Sequence, residues 1–402
     1  MQLRDKLRIL ADAAKYDASC SSSGGKKRDS VATRGIGSNE GTGICHSYTP
    51  DGRCVSLLKI LLTNQCLYDC AYCINRRSSN VARAKFTVEE VVKLTLDFYK
   101  RNYIEGLFLS SGIIKSHDET MEEMVRVAKS LRDEHKFGGY IHLKLIAGAS
   151  PELIAKAGAY ADRVSVNVEL PREDTLIELA PEKRGDIIRK SMGQVRLGIE
   201  AGSERNAPAF APAGQSTQMI VGADGANDRD ILNSSRRLYS GYNLKRVYYS
   251  AFSPIPDSSS RLPSQAAPLM REHRLYQADW MMRFYGFESN EIVIGDDGLL
   301  DLAIDPKLSW ALANRDRFPV DINTADRELL LRIPGLGVKT IDKLLLARRQ
   351  RILGLEDVAR LTRSVEKCRP FIITRDWRPV VLADAEIEAR MRPVAQQLDL
   401  FT

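Results

Sequence analysis

No run of about twenty consecutive apolar residues occurs in this 402-residue chain, which excludes a helix spanning the hydrocarbon core of a bilayer. The first twenty residues also lack the basic, apolar and small-residue succession of a secretory signal. MQLRDKLRILADAAKYDASC reads instead as an amphipathic, charged helix. With no such signal, a disulfide framework is disfavoured and a reducing cytoplasm is the expected compartment. Charge of one sign is not abundant either: the formal net charge is only +7. Its placement says more than its size. Between Asp321 and Val380 there are 13 Lys/Arg against 8 Asp/Glu, a net of +5. Such a concentration suits a polyanionic partner, and equally a merely solvated basic surface.

At 402 residues and 45.0 kDa the chain exceeds one typical domain and can bury a substantial core. Residues 1–54 read as an N-terminal extension, in which the Ser- and Gly-rich stretch 21–44 has the composition of a mobile loop or of a segment that orders on binding. From Val55 the pattern becomes regular. Apolar, β-branched runs at Val55–Leu62, Gly106–Leu109, Tyr140–Ile146, Arg163–Val168, Thr217–Val221 and Arg246–Phe252 predict six strands. Helical patterns fall between them, at Val88–Lys100, Asp118–His135, Pro151–Ala157, Asp174–Leu179 with Gly185–Gly198, and Arg229–Ser240. Strand–helix alternation predicts a parallel α/β core over residues 55–255, with right-handed crossovers and functional groups at the C-terminal ends of the strands. A Pro- and Ser-rich stretch ends the repeat, and residues 256–318 read as a helical and turn-rich connector. Residues 319–402 read as a small all-α domain with a C-terminal tail.

Three cysteines, Cys66, Cys70 and Cys73, follow the first predicted strand at the spacing C-x₃-C-x₂-C. The polar residues among and after them (Tyr68, Asp69, Asn75, Arg76) argue against ordinary core packing. Zinc would need a fourth ligand from elsewhere. An iron–sulfur cluster, taking up to four thiolates, suits the spacing and with three would keep one iron open to bind a small molecule. Cys20, Cys45 and Cys54 read either as idle or buried thiols, or as ligands of an auxiliary cluster or part of the substrate entrance; Cys368 stands alone and is expected to pack.

The segment VDINTADRELLLRIPGLGVKTIDKLLLARR holds two short helical patterns joined by Pro334-Gly335-Leu336-Gly337. The glycines permit a tight turn, and the helix starting near Val338 presents unpaired N–H groups that bind phosphate without reading a base. Gly335, Gly337, Lys339, Thr340, Arg348 and Arg349 are the candidate contacts to nucleic acid, the cations supplying salt-dependent attraction.

Taken together, the C-x₃-C-x₂-C motif after a first strand and Tyr72 just before the third cysteine resemble the radical S-adenosylmethionine (SAM) superfamily over roughly residues 55–255. The resemblance implies a partial (βα)6 barrel, a 4Fe–4S cluster on Cys66, Cys70 and Cys73, and S-adenosylmethionine on the open iron. It also implies one-electron cleavage of the sulfonium to a 5′-deoxyadenosyl radical, with an electron donor such as flavodoxin or ferredoxin. Ser110-Ser111-Gly112 falls where the superfamily often has a Gly-Gly-Glu turn against the methionyl amine. The glutamate is missing, so a hydroxyl or backbone carbonyl is expected to substitute. Tyr72, Asn167, Glu169 and Gly222 are further implied cofactor contacts.

Residues 319–368 resemble helix-hairpin-helix modules through DINTA, IPGLG and LEDVARL. Both motifs in this order, with KYDASC and ICHSYTPDGRC, resemble a bacterial family described as putative DNA modification or repair radical SAM proteins. Lys339 and Asp357 have the spacing of the catalytic pair of cluster-containing DNA glycosylases, but the four-cysteine cluster of that family is absent. The expectation is therefore a radical enzyme acting on nucleic acid, with DNA held by the hairpins. Two rivals stand beside it: the same enzyme acting on RNA, protein or a small molecule, with the hairpins binding a partner, and a non-catalytic cluster protein that senses redox state on DNA.

Overall fold

The computed structural model describes residues 1–14, 44–48, 54–379 and 386–387. The stretch 21–44 lies almost wholly outside the described residues, as does Cys20. Two compact units make up the chain, residues 1–226 with 237–267 and residues 227–236 with 268–402.

The first unit opens with helix α1 (Leu3–Ala14), whose Lys6 pairs with Glu90 at 2.7 Å. Strand β1 (Ile44–Tyr48) then pairs antiparallel with β2 (Cys54–Leu61). Leu57 to Leu61 are all buried, as befits a strand covered on both faces. The chain continues through α2 (Val88–Lys100), β3 (Gly106–Ser110), α3 (His117–Lys129), β4 (Tyr140–Lys144), α4 (Pro151–Tyr160) and β5 (Arg163–Ser165). Helices α5 (Glu173–Leu179) and α6 (Gly185–Gly202), strand β6 (Gln215–Val221), α7 (Asp228–Tyr242) and β7 (Arg246–Ala251) complete the repeat. Strand order equals chain order and β2 to β7 are parallel, so this is an open α/β half-barrel. The α2 start is fixed by a capping box in which Thr87 and Glu90 bond each other's backbone N–H.

All six expected strands are present, but among the described residues the sheet has seven, because β1 adds an antiparallel edge that the strand–helix alternation did not announce. β5 is also shorter than expected. After Ser165 the regular ladder stops, and Glu169 rejoins β6 as an isolated parallel bridge to Met219.

The second unit contains α8 (Leu269–Phe284), α9 (Ser289–Ile292), α10 (Pro306–Ala313), α11 (Arg327–Arg332), α12 (Val338–Ala347), α13 (Leu355–Leu361) and α14 (Val365–Cys368). It is not purely helical: β8 (Val320–Asp321) and β9 (Ile372–Ile373) form a short parallel ladder. Its core is aromatic. Trp310 stacks edge-on with Phe287 and Phe318, and Phe318 with Phe371. The buried Arg332 guanidinium lies over Phe287 and Trp310 and pairs with Glu291 at 3.1 Å. The first part of α7, residues 228–236, belongs to this unit, and the buried carboxylate of Asp228 accepts there from Arg271 at 2.7 Å and from the Leu300 N–H at 2.9 Å. Among the described residues no helix is long and apolar enough to cross a membrane.

Candidate functional site

A loop from Thr63 to Arg83 leaves the C-terminal end of β2 carrying the three cysteines. One side chain holds most of it. The Arg83 guanidinium donates to the carbonyls of Asn75 (2.9 Å), Arg76 (2.6 Å), Ser79 (3.1 Å) and Asn64, and to the Ser79 hydroxyl (2.8 Å). Asp69 accepts from the Ser78 N–H and hydroxyl, and the Asn64 side chain spans Ala82 and Ala84. The Ala71 N–H reaches the Leu179 carbonyl at 2.7 Å, fastening the loop to the end of α5.

Cys66, Cys70 and Cys73 line a cavity of about 250 Å³ at the C-terminal edge of the sheet. Tyr72, Ser110, Ser111, Gly112, Asn167 and Glu169, all expected from the sequence, line it too. Gly222 does not, although it follows β6 directly with a φ of +77°. Cys45 and Cys54 also stay outside; Cys54 is exposed, and Cys45 packs against Val55, Leu57 and Phe108.

Glu169 is held in the left-handed region, at φ +65°. Side chains other than glycine are rarely found there, and the cost is about 1–3 kcal/mol. Both of its backbone groups are bonded to β6, the N–H to the Gln218 carbonyl (3.1 Å) and the carbonyl to the Ile220 N–H (2.7 Å). These bonds fix the residue so that its carboxylate pairs with Lys183 at 2.5 Å, while the Lys183 ammonium lies 5.8 Å from the Tyr72 ring centre. Burial works against that ammonium, yet Glu169, Tyr72 and Cys70 together outweigh it and the Lys183 pKa stands well above its ordinary value. Burial pushes the Cys70 thiol up to about 12 and raises Cys73 and Tyr68 as well, with Lys183 opposing it at each. On the other wall the Tyr68 hydroxyl meets His117 Nε2 at 2.5 Å.

Three buried polar atoms of the lining have no hydrogen-bond partner among the described residues: the Tyr72 hydroxyl, Ser110 Oγ and Glu182 Oε2. Such atoms are costly unless a ligand satisfies them. Ser111, by contrast, donates to the Gly112 carbonyl at 2.7 Å. Gly112 sits where the backbone crowds: a Cβ there would lie 2.2 Å from the Gln65 carbonyl oxygen and 3.3 Å from Cys66 Cβ. Among the described residues no three His, Cys, Asp or Glu side chains converge on a single metal ion. A polynuclear cluster takes one thiolate per iron and needs no such convergence. Three cysteines on one loop beside unsatisfied polar atoms fit a cluster with a polar organic ligand.

Arg83, Glu182, Lys183 and the Tyr68–His117 pair were not singled out in the sequence. Lys183 and Glu182 follow Leu179 in the α5–α6 turn, and only the contact between that turn and the cysteine loop gives them meaning.

In the second unit, Gly335 adopts φ +80°, and a Cβ there would meet the Ser364 carbonyl and Lys367 Cβ at 2.9 Å. Gly337 precedes α12, with Lys339 exposed and Thr340 half-buried in its first turn; Arg349 is exposed at its end. Arg348, expected at the phosphate, is already engaged. It donates to the carbonyls of Ile322 (3.0 Å) and Ala325 (2.6 Å), because its position in the last turn of α12 faces the segment after β8. Asp357 caps α13 through the Gly354 N–H at 3.0 Å and pairs with Arg351, a structural role. Cys368 is buried, as expected.

Residues 60–238 match the Radical SAM superfamily. Among solved structures the chain is similar to HydG, a maturase of the FeFe-hydrogenase, at 17% identity and TM-score 0.43 over 55% of this chain and 48% of that one. The HydG FeFe-hydrogenase maturase from Carboxydothermus hydrogenoformans gives 14% and 0.43 over 55% and 50%. Methylornithine synthase, PylB, gives 14% and 0.42 over 54% and 59%. The chain thus spans about half the length of the solved chains it matches. No curated protein matches it. The match covers residues 60–238, and proteins that carry this domain are enzymes. Members of the superfamily bind a 4Fe–4S cluster and S-adenosylmethionine.

Proposed function

We propose that this radical SAM enzyme modifies or repairs nucleic acid, DNA foremost. In this reading Cys66, Cys70 and Cys73 are the cluster ligands, and the cavity they line holds S-adenosylmethionine. The observation that carries it is the meeting of the three thiols with three unsatisfied polar atoms in one cavity at the C-terminal edge of a parallel sheet. When bound, the cluster and S-adenosylmethionine supply one-electron chemistry that no side chain has. The protein binds and orients them, and its apolar lining from Leu145, Ile146, Val166 and Ile220 keeps water out. A low-potential donor such as flavodoxin or ferredoxin delivers the electron. Loading the cluster must displace protons from Cys70 and Cys73, which burial keeps neutral in the metal-free protein.

The DNA part rests on the second unit. The turn at Gly335, the start of α12 and the exposed Lys339 and Arg349 suit a helix-hairpin-helix grip on phosphates, in a segment of net +5. The test is anaerobic: reconstituted protein, S-adenosylmethionine and dithionite, with 5′-deoxyadenosine measured with and without duplex DNA. Cleavage is expected to rise with DNA and to vanish in Cys70→Ala. Cleavage indifferent to DNA would move the substrate elsewhere, and no cleavage from a fully loaded cluster would leave a binding protein.

A further inference from the structure

Helix α8 of the second unit buries one face, through Leu275, Ala278 and Met281. On the other, Leu269, His273, Gln277, Trp280 and Phe284 are exposed, at spacings of four, four, three and four residues that align them in one stripe. Single exposed hydrophobics need no explanation, whereas a contiguous set marks an interaction surface. Its C-terminal end is aromatic. Trp280 is 48% and Phe284 45% exposed, and their rings meet edge to face with centres 5.3 Å apart. The Arg283 guanidinium, paired with Asp279 at 3.1 Å, lies 4.6 Å from the Phe284 ring centre. This end of α8 is fixed against the Gly335–Gly337 turn. Tyr285, next to Phe284, has its hydroxyl 3.6 Å from where a Cβ on Gly337 would lie. Lys307 lies over the Tyr285 ring, 4.5 Å from its centre, and bonds the Leu336 carbonyl at 2.6 Å.

We propose that Trp280 and Phe284 form a stacking platform for an unpaired nucleobase, in a strand whose phosphate lies at the start of α12. The proposal rests on the nucleic-acid reading of the hairpin and narrows its substrate to a strand with at least one base out of the stack. Every base has a π-face, so aromatic rings hold it without reading sequence, with a gain in affinity of about tenfold per base. Chemistry on a base of a duplex requires that base to leave the stack, and a platform offsets that cost. Charge favours a nucleic-acid strand over a protein helix as the occupant. The segment from Asp321 to Val380 is net +5, with Lys339 and Arg349 exposed. The carboxylates nearest in sequence to the rings are already matched by arginines: Asp279 by Arg283, Glu288 by Arg236 at 2.9 Å and Glu291 by Arg332 at 3.1 Å. A phosphate strand therefore meets cations here, and few unpaired anions repel it.

The test measures equilibrium binding of the full, reconstituted chain to three labelled DNA duplexes of one sequence. One is fully paired, one carries a single unpaired nucleotide, and one carries an abasic sugar in place of that nucleotide. Wild-type protein is expected to prefer the unpaired base over both other probes by about tenfold. Trp280→Leu and Phe284→Leu keep apolar contact and remove a ring face; each is expected to lose most of that preference, while Trp280→Phe keeps part of it. Affinity for the fully paired probe and the melting temperature are expected to stay at wild-type values. Equal binding of all three probes by wild-type protein overturns the platform and leaves the hairpin's grip on duplex standing. A preference that persists in the Trp280→Leu/Phe284→Leu double variant overturns it too, as does an equal loss on all three probes. A dimer in sedimentation that Trp280→Leu dissolves, without preference among the probes, assigns the stripe to a second copy of the chain and overturns the proposal. Wild-type protein that binds no probe at low salt refutes the nucleic-acid reading itself, and the platform with it.

Discussion

Arg83 shows how much one residue outside any motif governs the cysteine loop. Its guanidinium closes on four carbonyls and one hydroxyl between Asn64 and Ser79, a fan that lysine cannot reproduce with three donors on one nitrogen. Arg83→Lys is expected to lower stability by about 2 kcal/mol, the scale of losing hydrogen bonds to a charged donor. It should also halve or worse the iron retained after reconstitution. Iron per chain, read beside the melting temperature, separates the two effects. Retained iron at wild-type level would mean that the loop is held by Asn64 and Asp69 alone. Glu169 illustrates the opposite economy. Its strained backbone is tolerated because β6 bonds it on both sides, and the strain places a carboxylate against Lys183.

At the level of elements, the strands were readable because most of the six parallel ones contain a short apolar run bounded by polar turns. The cysteine loop was readable because its spacing is chemical, not conformational. Strand β1 was not: ICHSY has no apolar run, and only its antiparallel register against Val55–Leu58 and Cys54 makes it a strand. Glu182 and Arg83 escaped for a related reason, since their partners lie 113 and up to 19 residues away and no local pattern encodes the contact. The hairpin segment was legible as helix–turn–helix, but its cations looked alike in sequence. Their surroundings now separate them. Arg348 ties α12 to Ile322 and Ala325, whereas Lys339 and Arg349 are exposed. Lys339→Glu and Arg349→Glu are each expected to weaken duplex binding and reduce its salt slope by about one, with no change in melting. Arg348→Glu is expected to lower the melting temperature of the second unit. Unchanged duplex affinity at two salt concentrations in the first two variants would remove DNA from the hairpins' role.

For the molecule as a whole, two compact units make unfolding unlike a single two-state step. Lys307, buried in the second unit, bonds the Leu336 carbonyl at 2.6 Å and lies over the Tyr285 ring, with Asp305 and Cys368 facing it. Burial lowers its pKa from 10.5 to about 7. Between those values the unfolded chain holds a proton that the folded unit has released, so stability rises with pH across this window and falls as pH drops towards 7. Lys307→Met should flatten that slope in pH-dependent melting; an unchanged slope would assign it to other groups. A last consequence concerns descent and engineering. Gly112 touches the Gln65 carbonyl and sits beside Cys66. A glutamate imported at position 112 from a Gly-Gly-Glu turn would therefore push against the backbone of Gln65, next to the first cysteine of the motif it was meant to serve. Because the position is closed by backbone, any side chain added there must first move the residue that leads into the cysteine motif.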